Sequence, residues 1–147
     1  IAIGSFSPLS TSESEDILEG FESSLPEIAT EPIFANNFLI AAIMFIPVLG
    51  PIIGIIILHT TGVVIAASGM SVNLPGILLL LGLLVFPFAW LEFISYSIAI
   101  TQSIFLVIGL LRSRFKNELF RTVFLILTVF VMLFVAAFIE AILILAL

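Results

Sequence analysis

From Ile33 to the C-terminus the charged side chains are Glu92, Glu118, Glu140 and one group of four bases, Arg112, Arg114, Lys116 and Arg121, set among long aliphatic and aromatic runs. Such a stretch has too few polar groups to clothe a surface in water. The whole chain is 62% hydrophobic and 10% charged, with a mean hydropathy of +1.41, which places it in lipid. There every backbone N–H and C=O must be satisfied by protein, and helices do this within a single segment. The expected fold is all-α: a polytopic transmembrane helix bundle. The lack of cysteine excludes disulfide frameworks, thiolate metal sites and iron–sulfur clusters.

Charge is distributed with strong polarity. Glu13, Glu15, Asp16, Glu19, Glu22, Glu27 and Glu31 precede the first long apolar run, whereas every base lies between Arg112 and Arg121. Cytoplasmic loops collect Lys and Arg, so the 112–121 loop is expected inside and residues 5–32 outside, in a multi-pass cell-membrane protein. Four bases between apolar helices are an orientation signal and give no support to nucleic-acid binding.

Composition divides the chain into an external acidic segment, 1–32, and a transmembrane helical domain, 33–147. Ile1-Ala2-Ile3-Gly4 reads as the tail of an upstream transmembrane helix. Ile17, Leu18, Phe21 and Leu25 fall at helical spacing, with Ser12 and Glu15 as a capping box and Pro26 as a stop, so a short external amphipathic helix is expected. It either docks a partner, binds cations weakly, or lies on the mouth of its own bundle.

About four crossings follow from the positions of breakers and polar residues. Residues 33–58 span once, with tilt, and are kinked by Pro47 and Pro51. His59 to Gly62 marks the inner membrane surface, 87–111 crosses again, and 119–147 crosses last. Between them, 60–86 is interrupted around Ser71, Asn73 and Pro75. If 33–58 runs inward and Arg112 is inside, an odd number of crossings separates them, so 60–86 is expected to be one broken helix. Its unwound residues 71–75 should then be buried by protein, where they either pack or hold a substrate. Gly50 and Gly54 form a small-xxx-small pair for close helix packing.

Intramembrane carboxyls call for a functional hypothesis. Glu92 lies about five residues from the outer end of its crossing, and Glu140 lies about 28 Å beyond Arg121 at about 1.5 Å per residue, so both arrive near the outer face. Asn36 and Asn37 enter at the same level. These four residues are expected to share a layer, as a neutral helix clamp or as a proton or cation site. Ser95, Tyr96, Ser97, Thr101, Gln102 and Ser103 should turn their helix toward the interior. A single histidine, His59, excludes H-E-x-x-H zinc chemistry, and Ser68 with His59 makes only a nominal protease pair. Neither a catalytic residue, a metal nor a cofactor is implied.

Asn36-Asn37 behind the acidic segment, Thr61-Gly62-Val63-Val64, Pro87-Phe88-Ala89-Trp90-Leu91-Glu92, the basic loop and Ala136-Ala137-Phe138-Ile139-Glu140-Ala141 together resemble the stage II sporulation protein M family. The likeness covers about residues 30–145, and Phe88-Ala89 stand where the family usually has His-Gly. The founding member anchors an engulfment complex with cell-wall hydrolases, so the resemblance implies a non-enzymatic assembly or scaffold subunit. Its partners would be membrane lipid and other membrane subunits, or further copies of the chain. The competing expectation is a small-solute or ion permease using the broken helix and the Glu92/Glu140 layer.

Overall fold

The structure is a computed structural model describing residues 1–24 and 30–146, and the regular structure among them is helical. A 3-10 turn at Gly4–Phe6 precedes α1 (Thr11–Ser24), α2 (Thr30–Met44), α3 (Leu49–Ser71), α4 (Gly76–Leu83), α5 (Pro87–Leu111) and α6 (Phe115–Ala146). Helices α3, α5 and α6 are long and apolar enough to cross a membrane. The chain is thus the all-α, multi-helix membrane-type protein expected, and about four crossings is roughly right. By contact the chain divides into two interleaved compact units: Ile1–Leu25 with Ile55–Phe86, and Pro26–Gly54 with Pro87–Leu147.

In the second unit α5 and α6 form an antiparallel hairpin. Its corner is a left-handed residue, Ser113 (φ 55°), and Arg114 N–H returns to Gly109 O at 2.8 Å. This is how a helix satisfies its last carbonyls when it stops. The side chains buried there are mostly small, among them Ala89, Ser95, Ala99, Ser103, Ala136 and Ala137, and small residues allow the backbone approach on which packing in lipid depends. Against this hairpin α2 sets Phe34 and Phe38, one turn apart, edge-on to Phe130, with ring centroids 4.9 and 5.3 Å away. Offset edge-to-face rings of this kind add to simple burial.

The expected first crossing, 33–58, is in fact two helices. Fifteen residues of α2 rise only about 22 Å, short of a hydrocarbon core of about 30 Å. Pro47 supplies no N–H to continue the helix, and Val48 (φ 69°) reverses the chain. Leu49 N–H then bonds to Pro47 O, and Gly50 N–H to Ile46 O, both at 2.8 Å. Pro51 falls in the first turn of α3, where its missing N–H would have been unsatisfied anyway. The start of α3 runs back along α5: a Cβ on Gly50 would lie 2.6 Å from Ser103 Oγ, and one on Gly54 would lie 2.5 Å from Ile100 Cδ1. Gly50 and Gly54 are therefore packing glycines, as expected, but at a chain reversal and not at a kink.

In the first unit, His59 to Gly62 does not end a helix. These residues lie midway along α3, where Thr60 and Thr61 hydroxyls donate to Ile57 O at 3.0 and 2.9 Å and so conceal their own polarity. His59 is thus mid-helix, and Ser68, nine residues away, projects from the opposite side of α3, so the nominal protease pair does not form. Gly62 packs against Ile1 O, and Gly4 against His59 O, so residues 1–4 fold onto α3.

The interruption at Ser71, Asn73 and Pro75 is where the sequence places it, but it is not a buried unwinding. Asn73 (φ 56°) closes α3: Leu74 N–H reaches Gly69 O at 2.8 Å and Asn73 N–H reaches Met70 O at 3.2 Å. This paired cap satisfies the carbonyls locally, so residues 71–75 remain exposed. Pro75 then caps α4, and a Cβ on Gly76 would meet Ala66 Cα at 2.7 Å, so the chain doubles back along α3. Residues 60–86 therefore do not form the single broken crossing expected, since 33–58 is not one complete crossing from which to count.

Helix α1 is amphipathic as expected, turning Ser14, Ile17 and Leu18 inward, beside a groove it shares with Met70 to Leu74. It lies on its own unit. The capping box sits two residues earlier than expected: Ser10 N–H donates to Glu13 Oε2 at 2.8 Å, and Glu13 N–H returns to Ser10 Oγ at 3.3 Å. Leu25 and the expected stop, Pro26, lie outside the described residues.

Val48 is exposed and β-branched at positive φ, so Val48→Gly should stabilise the protein in detergent by about 1 kcal/mol and raise Tm. Gly50→Ala should cost about 1–3 kcal/mol, because its Cβ would strike Met44 O and Ser103. The bonds from Ser10 hold the Glu13 carboxyl below the usual carboxylate range. Its contribution to α1 is therefore full above the unfolded pKa and lost as pH falls through the lowered folded value. Amide protection over residues 11–14 should drop in acid, and Glu13→Gln, which keeps the box, should flatten that dependence.

A carboxyl and amide layer in the second unit

Asn37 on α2 and Glu92 on α5 meet because the two helices run parallel from the same end of the unit. Asn37 Nδ2 donates to Glu92 Oε1 at 2.5 Å, joining residues 55 positions apart. Tyr96, one turn after Glu92, is buried and lies within electrostatic reach of Glu92 and Glu140, which are also within reach of each other. The backbones are not at one height, since Glu140 comes ten residues after Phe130, the α6 residue that Phe38 touches. Cα–Cβ bonds lean toward the helix N-terminus, so on antiparallel α5 and α6 the two glutamates lean toward each other and act on one another at longer range, without a bond.

Asn36, expected in this layer, points elsewhere and is exposed; adjacent helical positions diverge by about 100°, so only one of two neighbours can face Glu92. Of the polar residues on α5, Ser95, Tyr96, Gln102 and Ser103 are buried, whereas Ser97 and Thr101 are exposed. Ser97 is tolerated outside because its hydroxyl donates to Phe93 O at 2.7 Å. Among the described residues no three His, Cys, Asp or Glu side chains converge. The layer is therefore two carboxyls with an amide and a phenol, able to clamp helices or to hold a proton.

Sequence reasoning missed a second polar cluster near the basic loop. Gln102 Nε2 donates to Thr122 Oγ1 at 3.0 Å and to Glu118 O at 3.2 Å, and Arg121 stands 3.9 Å from Glu118 with its guanidinium 5.2 Å from the Phe105 ring centre. Its signal was present in the spacing of Glu118, Arg121 and Thr122 on one helix face.

The model of the stage II sporulation protein M family matches residues 1–143. The chain belongs to this family. Family membership thus extends over both compact units and takes in residues 1–30, which the likeness read from motifs left out. No curated protein and no solved structure matches the chain.

If the Asn37–Glu92 bond ties α2 to α5, Glu92→Gln should preserve folding in detergent. Glu92→Leu should cost about 1–3 kcal/mol by leaving the Asn37 amide unpaired. Asn37→Leu combined with Glu92→Leu should recover much of that loss, a coupling that a thermal-melt double-mutant cycle measures directly.

Proposed function

We propose that this member of the stage II sporulation protein M family is a non-enzymatic membrane scaffold, an assembly subunit that works with other membrane proteins or with further copies of itself. The observation that carries the reading is the use made of the deep polar groups. Glu92 bonds across helices to Asn37, and the polar atoms of Gln102, Glu118 and Thr122 bond mainly to one another. A chain whose intramembrane polarity is spent on joining its own helices is built to hold a shape. Nor do Glu92 and Glu140 line the groove beside α5 and α6, whose walls include Trp90, Ile98 and Leu125.

One observation favours a permease as second reading: Glu92 and Glu140 lie within electrostatic reach of each other, and neither forms an ion pair among the described residues. Isolated acids in a membrane mark proton pathways in transport proteins. Proteoliposomes carrying an internal pH dye separate the readings. The scaffold predicts no flux above empty vesicles and no change on Glu92→Gln or Glu140→Gln; flux that either variant abolishes would establish the permease instead. Native purification should recover stoichiometric membrane partners or a defined homo-oligomer.

We further propose that the protein lies in the cell membrane with the 112–121 loop cytoplasmic and residues 5–32 outside. Support comes from the positive-inside bias and from the second unit, where α2 begins at the end opposite the α5–α6 corner. Ser23→Cys and Ser113→Cys, each in a chain that has no cysteine of its own, should react with an impermeant thiol reagent from opposite sides. Labelling from one side would reject this topology.

A further inference from the structure

A groove of about 450 Å³ runs along one face of α5 and is closed on one side by α6. Its walls are unequal from end to end. Trp90, Ile94 and Ile98 form an apolar floor at i, i+4 and i+8, with Leu125 facing them. At the other end stand Thr101, Gln102 and Arg121. From Trp90 to Gln102 the α5 axis rises about 18 Å, close to half of a hydrocarbon core of about 30 Å. An apolar trough one leaflet long, with a cation at its head, has the dimensions and polarity of one lipid.

Arg121 is the last base before the apolar length of α6, and its guanidinium, level with Phe105 on α5, lies toward the basic-loop end of the groove. Its guanidinium is held between the Phe105 ring and a long contact with Glu118. That contact occupies little of a fork with five N–H donors, a geometry suited to phosphate. Glu118 offsets one charge, yet with Arg112, Arg114 and Lys116 nearby in sequence the segment stays net positive, four bases against one acid. Gln102 adds an independent observation. It is 1% exposed, and its Oε1 is a buried acceptor with no partner among the described residues, next to the place where a headgroup would lie.

We propose that this groove is a binding site for one anionic phospholipid that enters from the basic-loop side, with its phosphate diester on Arg121, its glycerol headgroup hydroxyls beside Gln102 and an acyl chain running along Ile98 and Ile94 toward Trp90. The apolar floor selects a lipid over free phosphate, because phosphate alone leaves most of the groove unfilled. The charge at the head selects an anionic lipid over a zwitterionic one.

Native mass spectrometry of the full chain in detergent, titrated with dioleoyl phosphatidylglycerol or dioleoyl phosphatidylcholine, tests the site. The wild type should retain phosphatidylglycerol at least tenfold better than phosphatidylcholine. Arg121→Gln should remove that preference, and Ile98→Trp, which fills the trough without touching a charge, should remove retention of both. If Arg121→Gln fails to fold, Ile98→Trp decides: full retention in that variant overturns the site. Equal retention of the two lipids by the wild type overturns it as well. So does competition by inorganic phosphate at the lipid's own concentration, or a preference abolished by neutralising Arg112, Arg114 and Lys116 while Arg121→Gln leaves it intact.

Discussion

A helix that stops leaves its last carbonyls without intrahelical donors, and within hydrocarbon no water is present to supply them. This chain meets the requirement with residues in the left-handed region: Val48, Asn73 and Ser113. At Asn73 and Ser113 the next amide folds back to a carbonyl five residues earlier, Leu74 to Gly69 and Arg114 to Gly109, each at 2.8 Å. The caps reverse the chain and satisfy it in the same motion. The hairpin of α5 and α6, the return of residues 49–54 along α5 and the return of α4 along α3 at Gly76 all depend on these corners. Asn73 adopts this conformation readily, whereas Val48 and Ser113 hold one that their side chains resist.

The same demand governs the polar side chains. Along the helices hydroxyl groups donate back to carbonyls of the preceding turn, as in Ser68 to Val64 O, Ser95 to Leu91 O and Thr128 to Phe124 O. A serine or threonine satisfied in this way is compatible with lipid or with protein, and its presence does not mark an interior face. Amides and carboxyls are different, for they have no comparable local bond within a helix. Asn37, Glu92 and Gln102 therefore reach across to other helices, and those reaches are the specific links within the second unit.

These links bear on what the family member does. Asn37 and Glu92 sit toward one end of the unit, while Gln102, Glu118 and Thr122 sit toward the basic corner, with aromatic and small-residue packing between them. Polar ties at both ends and dispersion in the middle give a rigid three-helix frame whose outer surface, including Phe120, Phe124, Val131 and Phe138 on α6, is broadly apolar. Such a frame presents a large apolar face to its surroundings.

The sequence by itself determined the helical class, the apolar character and the family, and it named both partners of the Asn37–Glu92 bond. Hydropathy and the near absence of charge are properties of composition, and the Asn36-Asn37 and Pro87 to Glu92 motifs are local strings that need no fold to be read. Tertiary structure decided direction. Pro47 announces that a helix is in trouble, but whether the chain bends or turns back depends on Val48 adopting φ 69° and on Gly50 and Gly54 finding α5 alongside. The string Asn73-Leu74-Pro75 likewise marks an end, while the cap to Gly69 and the contact of Gly76 with Ala66 fix a reversal where continuation was expected. Asn37 and not Asn36 faces Glu92 because helical phase is set by what each face packs against. Periodicity records where a helix weakens; only packing between helices supplies the energy that chooses its next direction.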